Sequence, residues 1–121
     1  MKENNIILEK SYNFALRTIK LYMHLRKQKV ERELLIQLLK SGTSIGANIE
    51  EAIGAQSKSD FIHKVAIAYK ESRETSYWLR LFKDAEIMEL KLAQSFLSES
   101  EELKKILSSI LKTSKGIARN G

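Results

Sequence analysis

Apolar residues recur at spacings of three and four from Leu8 to Ile110, with polar positions between them. That is the pattern of helices that each bury one face. In the first segment the stripe runs Leu8, Tyr12, Ala15, Ile19 and Tyr22 and closes on Arg26, with Gln28-Lys29 as a short turn. The second runs Leu34, Leu38, Gly42, Ile45, Ile49 and Ala52, and Gly54 supplies a stop. Ser57-x-x-Asp60 ahead of Phe61 resembles a capping box with Asp in the usual Glu position. The third stripe is Phe61, Val65, Ala68, Ser72, Thr75, Leu79 and Phe82, followed by a polar turn over 83–86. The fourth is Ala93, Phe96, Leu103, Leu107 and Ile110, fading at Gly116. The spacing predicts helices over about 5–27, 31–54, 58–83 and 87–115. Two points stay open. Ser41-Gly42-Thr43-Ser44 could end one helix and cap the next, although the stripe passes through in phase and favours continuity. Ser98-x-x-Glu101 is a second capping box that could start the fourth helix in place of Ile87.

Composition agrees with the pattern. The 121 residues include no Pro and only five Gly, so the punctuation of sandwiches and barrels is missing. Helices joined by turns of a few residues pack antiparallel in chain order. The expected fold is therefore all-α, an up-down-up-down four-helix bundle forming one domain over 1–121. With no Cys, disulfides, thiolate metal sites and Cys nucleophiles are excluded. Charges interrupt every apolar run long before the roughly 18 residues of a membrane span. Met1-Lys2-Glu3-Asn4-Asn5 does not lead into an apolar signal core, so a cytoplasmic location with no membrane partner is expected.

Charge placement adds more than the net +6. Residues 1–30 carry seven basic and two acidic groups, 31–103 nine and thirteen, and 104–121 five and none. In an up-down-up-down bundle the first and fourth helices are neighbours, so one flank is expected to be basic while the acidic middle faces away. Lys10, Arg17, Lys20 and Lys27 on the first helix and Lys105 and Lys112 on the fourth are the candidate phosphate contacts, extended by Lys104, Lys115 and Arg119. Such a surface reads as a nucleic-acid footprint or as a solvated face with cations near a helix C-terminus. Aromatic groups near that flank are few, which favours duplex or folded RNA over extended strands.

Ser41, Gly42, Ser44, Gly46 and Ala47 crowd one helical segment, and Ala66, Ala68, Ser72 and Ser76 match them on the third. Mid-helix Gly costs up to about 1 kcal/mol against Ala, so close helix packing between these segments, or less simply a ligand pocket, is expected to offset it. Glu71, Glu74 and Trp78 share a stripe beside the core stripe, and Tyr77, Trp78 and Leu81 widen the apolar surface of the third helix. Apolar surface beyond what a bundle needs marks a partner site. These five residues are the expected oligomer contact. Paired Glu on bundle helices can hold two metals, but the Glu-x-x-His motif of such sites is missing, and no metal or cofactor is expected. Arg17 and His24, six residues of chain between them, resemble the Arg–His pair of some small helical ribonucleases.

Two blocks carry a family resemblance: Thr43-Ser44-Ile45-Gly46-Ala47-Asn48-Ile49-Glu50-Glu51-Ala52 and Lys70-Glu71-Ser72-Arg73-Glu74-Thr75-Ser76-Tyr77-Trp78-Leu79-Arg80. With the flanking helices, they resemble the bacterial four-helix bundle proteins named for members encoded in intervening sequences of 23S ribosomal RNA genes. The resemblance implies a homopentameric, barrel-like ring. It also links the chain to the accessory protein of diversity-generating retroelements, which is basic and engages nucleic acid and a reverse transcriptase. The expectation is a non-enzymatic oligomeric scaffold that binds structured RNA or other nucleic acid without strong sequence preference, with a reverse-transcriptase-like or other protein as a further partner. The alternatives are a protein-only assembly module and, more distantly, a ribonuclease using Arg17 and His24.

Overall fold

The computed structural model describes residues 2–120, apart from the side chains of Glu3 and of residues 117–120. Four helices follow in order: α1 Lys2–Lys27, α2 Arg32–Ile53, α3 Lys58–Asp84 and α4 Leu90–Asn120. Each packs on its chain neighbours, α1 closes on α4 along a looser seam, and among the described residues neither diagonal pair approaches. This is the antiparallel up-down-up-down bundle, with no strand among the described residues. No described helix is long and apolar enough to cross a membrane.

The turns explain where the helices stop. At the end of α1, Val30 N–H donates to Leu25 O (3.1 Å) and Lys29 N–H to Arg26 O (3.0 Å), with Lys29 at φ 64°. At the end of α3, Ile87 N–H donates to Phe82 O (2.8 Å) and Glu86 N–H to Lys83 O (3.1 Å), with Glu86 at φ 59°. Both are Schellman motifs whose left-handed position holds a residue other than glycine. The second motif moves the start of α4 from the expected Ile87 to Leu90, because Ile87 is spent closing α3. Ser57 caps α3 as its pattern predicts, its Oγ accepting from Asp60 N–H at 3.0 Å. Gly54 ends α2, but at φ −90°, so its conformational freedom is not what stops the helix. Helix α2 runs unbroken through Ser41–Ser44, and α4 runs unbroken through Ser98.

The core is where three of the four stripes place it. Leu38, Ile45, Ile49, Val65, Ala68, Leu79, Phe82, Ala93, Phe96, Leu103, Leu107 and Ile110 are all buried. Phe61 is only half-buried against the cluster, and Leu34 yields its place to Leu35. Helix α1 differs more. Its buried stripe is Ile7, Ser11, Phe14, Thr18, Leu21 and Leu25, while Tyr12 is 60% and Ile19 42% exposed. The predicted stripe is one position out of register because the true one contains two hydroxyls.

Those hydroxyls have a reason to be inside. Thr18 Oγ1 donates to Phe14 O at 2.8 Å and Ser11 Oγ to Leu8 O at 3.3 Å, so neither is left unpaired. Opposite them lie the two mid-helix glycines. A Cβ on Gly42 would stand 2.9 Å from Thr18 Cγ2, and one on Gly46 would stand 3.2 Å from the Ser11 carbonyl oxygen. Thus the two glycines of α2 admit α1, while Ser44 on the same helix faces α3, where it reaches Glu71. Between α3 and α4 the close contact is instead polar: Ser76 Oγ and Ser100 Oγ lie 2.7 Å apart, and Ser100 donates to Ser72 O at 3.3 Å.

Candidate nucleic-acid interface

The α1–α4 seam brings the basic ends of the chain together only in part. Because the helices are antiparallel, Lys10 meets Glu102 at 3.3 Å and Arg17 pairs with Glu99. Arg17 also donates to Ser95 Oγ at 2.8 Å, and its guanidinium lies 4.0 Å from the Phe96 ring centroid. Acidic residues of the chain's middle therefore sit inside the predicted basic flank, contrary to the expectation that they face away. Two of the six candidate cations are partnered.

Lys20, Lys27, Lys105 and Lys112 remain exposed and without an ion pair among the described residues. They form two groups. Lys105 lies beside Ile6 and Lys10, whereas Lys20 lies beside Leu92. At a rise of about 1.5 Å per residue, the levels of Lys20 and Lys105 differ by roughly 18 Å along the bundle. Lys27 and Lys112 extend the groups toward opposite ends. Lys104 is held by Glu101 at 2.9 Å, Lys115 is exposed, and the Arg119 side chain lies outside the described residues.

Arg17 and His24 do share a shallow cleft of about 320 Å³ with Lys20, Leu21, Leu92 and Phe96. His24 is exposed, with Nε2 3.3 Å from the Gln28 amide nitrogen. No carboxylate is paired with it among the described residues, and Arg17 is committed to Glu99 and Ser95. Nor do three His, Asp or Glu side chains gather as a metal site among those residues.

The five expected contact residues on α3 separate. Tyr77 is 48% and Leu81 40% exposed, and Glu74 is exposed. Trp78 is half-buried against the core, with Tyr77 at 5.6 Å and Phe82 at 6.3 Å between ring centroids. Glu71 is half-buried too. Burial raises its carboxyl above the ordinary value and Glu74 adds to this, while the Ser44 hydroxyl and Lys70 work the other way.

A larger apolar surface lies on α1. Tyr12, Leu16, Ile19 and Met23, at 60, 43, 42 and 56% exposure, form a stripe opposite the buried one. The signal was in the sequence, since these residues keep helical spacing. They fall outside the core because α1 carries apolar residues on two faces and buries only one.

A family model described as 23S rRNA-intervening sequence protein matches residues 3–109. The chain is similar to a crystal structure of a protein of unknown function from the S23 ribosomal protein family of Bacteroides thetaiotaomicron. The two are 44% identical with a TM-score of 0.88, over 91% of this chain and 98% of that one. No curated protein matches the chain. The matched span takes in both sequence blocks, the glycine-mediated α1–α2 crossing and most of the basic flank, and the chain belongs to the 23S rRNA-intervening sequence protein family.

Proposed function

We propose that the protein is a self-associating, non-enzymatic helical scaffold that holds nucleic acid through its phosphates. The observation that carries this reading is the set of unpaired lysines, Lys20, Lys27, Lys105 and Lys112, on rigid helix faces of a chain with net charge +6. Lysine neutralises phosphate as a point charge and reads no base, so binding is sequence-tolerant and salt-dependent. Two clusters about 18 Å apart suit two stretches of one folded RNA better than one short strand.

The α1 stripe supports self-association. Helices α1 and α3 are diagonal, so Tyr12, Leu16, Ile19 and Met23 lie on the far side of the bundle from Leu81. Two unlike apolar patches on opposite faces suit a head-to-tail contact, and such contacts close into rings when the rotation allows. We take the ring to be the homopentamer implied by the family resemblance, with α1 as one side of the contact and Leu81, backed by Glu71 and Trp78, on the other. Repeating the lysine clusters around a ring multiplies modest contacts through effective concentration. Lys10 and Arg17 serve mainly the α1–α4 seam, and we assign no catalytic role to Arg17 and His24.

The test is binding of a folded RNA hairpin by fluorescence anisotropy. Lys20→Gln/Lys27→Gln/Lys105→Gln should bind at least tenfold more weakly at low salt while keeping its helical circular dichroism. Unchanged binding by this folded variant removes the flank from the interface. The apolar α1 stripe also favours a second reading, a protein-only assembly module. That reading predicts the same oligomer with no RNA retained by the wild type at low salt.

A further inference from the structure

We propose that the groove between α3 and α4 is a binding site for single-stranded nucleic acid, separate from the α1–α4 flank. It rests on the nucleic-acid reading above but uses different residues and a different form of the ligand. The groove is a broad hollow of about 790 Å³. Five cations line it, Lys70, Arg73, Arg80, Lys83 and Lys104, against two carboxylates, Glu74 and Glu101.

Pairing sharpens that balance. Glu101 is already served by Lys104 at 2.9 Å and by the Ser76 hydroxyl at 2.9 Å, and Lys83 lies 3.8 Å from Asp84. Lys70, Arg73 and Arg80 are exposed and carry no ion pair among the described residues. A chain that placed these groups only for solubility had no need to line them along one concavity.

The groove's dimensions select the ligand. Lys70 to Lys83 spans about 20 Å of helix at 1.5 Å per residue, enough for roughly six nucleotides at a stacked spacing of 3.4 Å. Packed helices lie about 8–10 Å apart, so the depression between them is one backbone wide. Tyr77 stands among the cations and is 48% exposed. Trp78 meets its ring at 73°, and the Arg80 guanidinium lies 5.9 Å from its centroid, so the ring is held in place. A cationic groove that tracks a backbone, with a fixed aromatic ring for a base, is how proteins hold single strands without reading sequence. On the flank the ring beside Lys20, Phe96, is buried and cannot stack on a base, which favours folded RNA there. In this arrangement Tyr77 stacks on a base, and the subunit contact on α3 is left to Leu81.

The experiment compares a twelve-nucleotide oligouridylate with a hairpin RNA by fluorescence anisotropy, using the full chain in its native assembly. Arg73→Gln/Arg80→Gln should lose at least tenfold affinity for the oligouridylate at low salt and flatten its salt slope, with hairpin binding changed less than twofold. Tyr77→Leu, which keeps apolar bulk but removes the ring, should weaken oligouridylate binding about tenfold without altering the salt slope. ATP at millimolar concentration should not displace the strand, because one nucleotide fills a fraction of the groove. Circular dichroism and light scattering confirm that each variant keeps its fold and assembly. Undiminished oligouridylate binding by folded Arg73→Gln/Arg80→Gln overturns the proposal, as does displacement by ATP, which assigns the groove to mononucleotides. If the hairpin binds and responds to the flank variant while the groove variants change nothing, this inference falls alone. If the wild type binds neither RNA, the nucleic-acid reading falls and takes this inference with it.

Discussion

At the scale of single residues, the fold depends on a few positions whose neighbours leave no room. Gly42 faces Thr18, whose side chain is short, branched and tied to Phe14 O, so it cannot swing away from an added methyl group. Overpacking of this kind costs about 1–3 kcal/mol, against a helix-propensity gain near 1 kcal/mol for Gly to Ala. Gly42→Ala should therefore lower the thermal midpoint, and Thr18→Ala in the same chain should recover most of the loss. Failure of the second change to rescue the first would move the clash elsewhere. Lys29 and Glu86 make the opposite case. Each holds a left-handed conformation that costs a residue other than glycine about 1–2 kcal/mol, part of it offset by the greater chain entropy of glycine. Lys29→Gly and Glu86→Gly should each stabilise by about 0.5–1 kcal/mol in urea melts. In the core, Ile49→Ala should cost roughly 2–5 kcal/mol, since Ile49 is 1% exposed.

At the scale of elements, legibility followed how much of each buried stripe was apolar. Helices α3 and α4 could be read directly, because Val65 to Phe82 and Ala93 to Ile110 keep their phase. Helix α1 could not, since Ser11 and Thr18 on its buried side are less apolar than Tyr12 and Ile19 on its exposed side. Only the partner helix reveals why, through Gly42 and Gly46. The turns were half-legible for a similar reason: the Ser57 cap has a motif, whereas a Schellman turn with Lys or Glu in place of glycine has none. The seams also titrate in opposite senses. Glu101 on α4 lies below its ordinary value, chiefly because Lys104 donates to it, with Ser76 helping against the cost of burial. Its contribution is complete above the ordinary carboxylate range and is lost as pH falls through the lowered folded value. Glu71 on α3 lies above its ordinary value because of burial, so the folded state carries a cost at neutral pH that disappears as pH falls through the raised value. Glu71→Gln should raise the thermal midpoint at pH 7, and the gain should vanish below the ordinary carboxylate range. A gain that persists at low pH would mean the charge is not its source.

For the whole molecule, the sequence reading located the charge but not its pairing. That α1 and α4 are neighbours follows from topology, yet the antiparallel register set Lys10 on Glu102 and Arg17 on Glu99, which no count of charges along the chain reveals. A charge count conceals the groove cations of α3, because residues 31–103 are acidic in sum. The proposed assembly and binding surfaces use different residues. Leu16→Glu/Met23→Glu should convert a multiple of 13.9 kDa, five on the ring reading, to the monomer mass in light scattering without loss of helix. The most direct test of the central claim is the salt dependence of hairpin RNA binding by the wild-type protein. Each neutralised phosphate contributes a slope of about −0.9 in a plot of log affinity against log salt on a duplex. The phosphate-holding scaffold predicts tight binding at low salt and a slope of about −3 or steeper, reduced by about two in Lys20→Gln/Lys27→Gln. No binding at low salt, or binding indifferent to salt, would contradict it and leave a protein-only assembly.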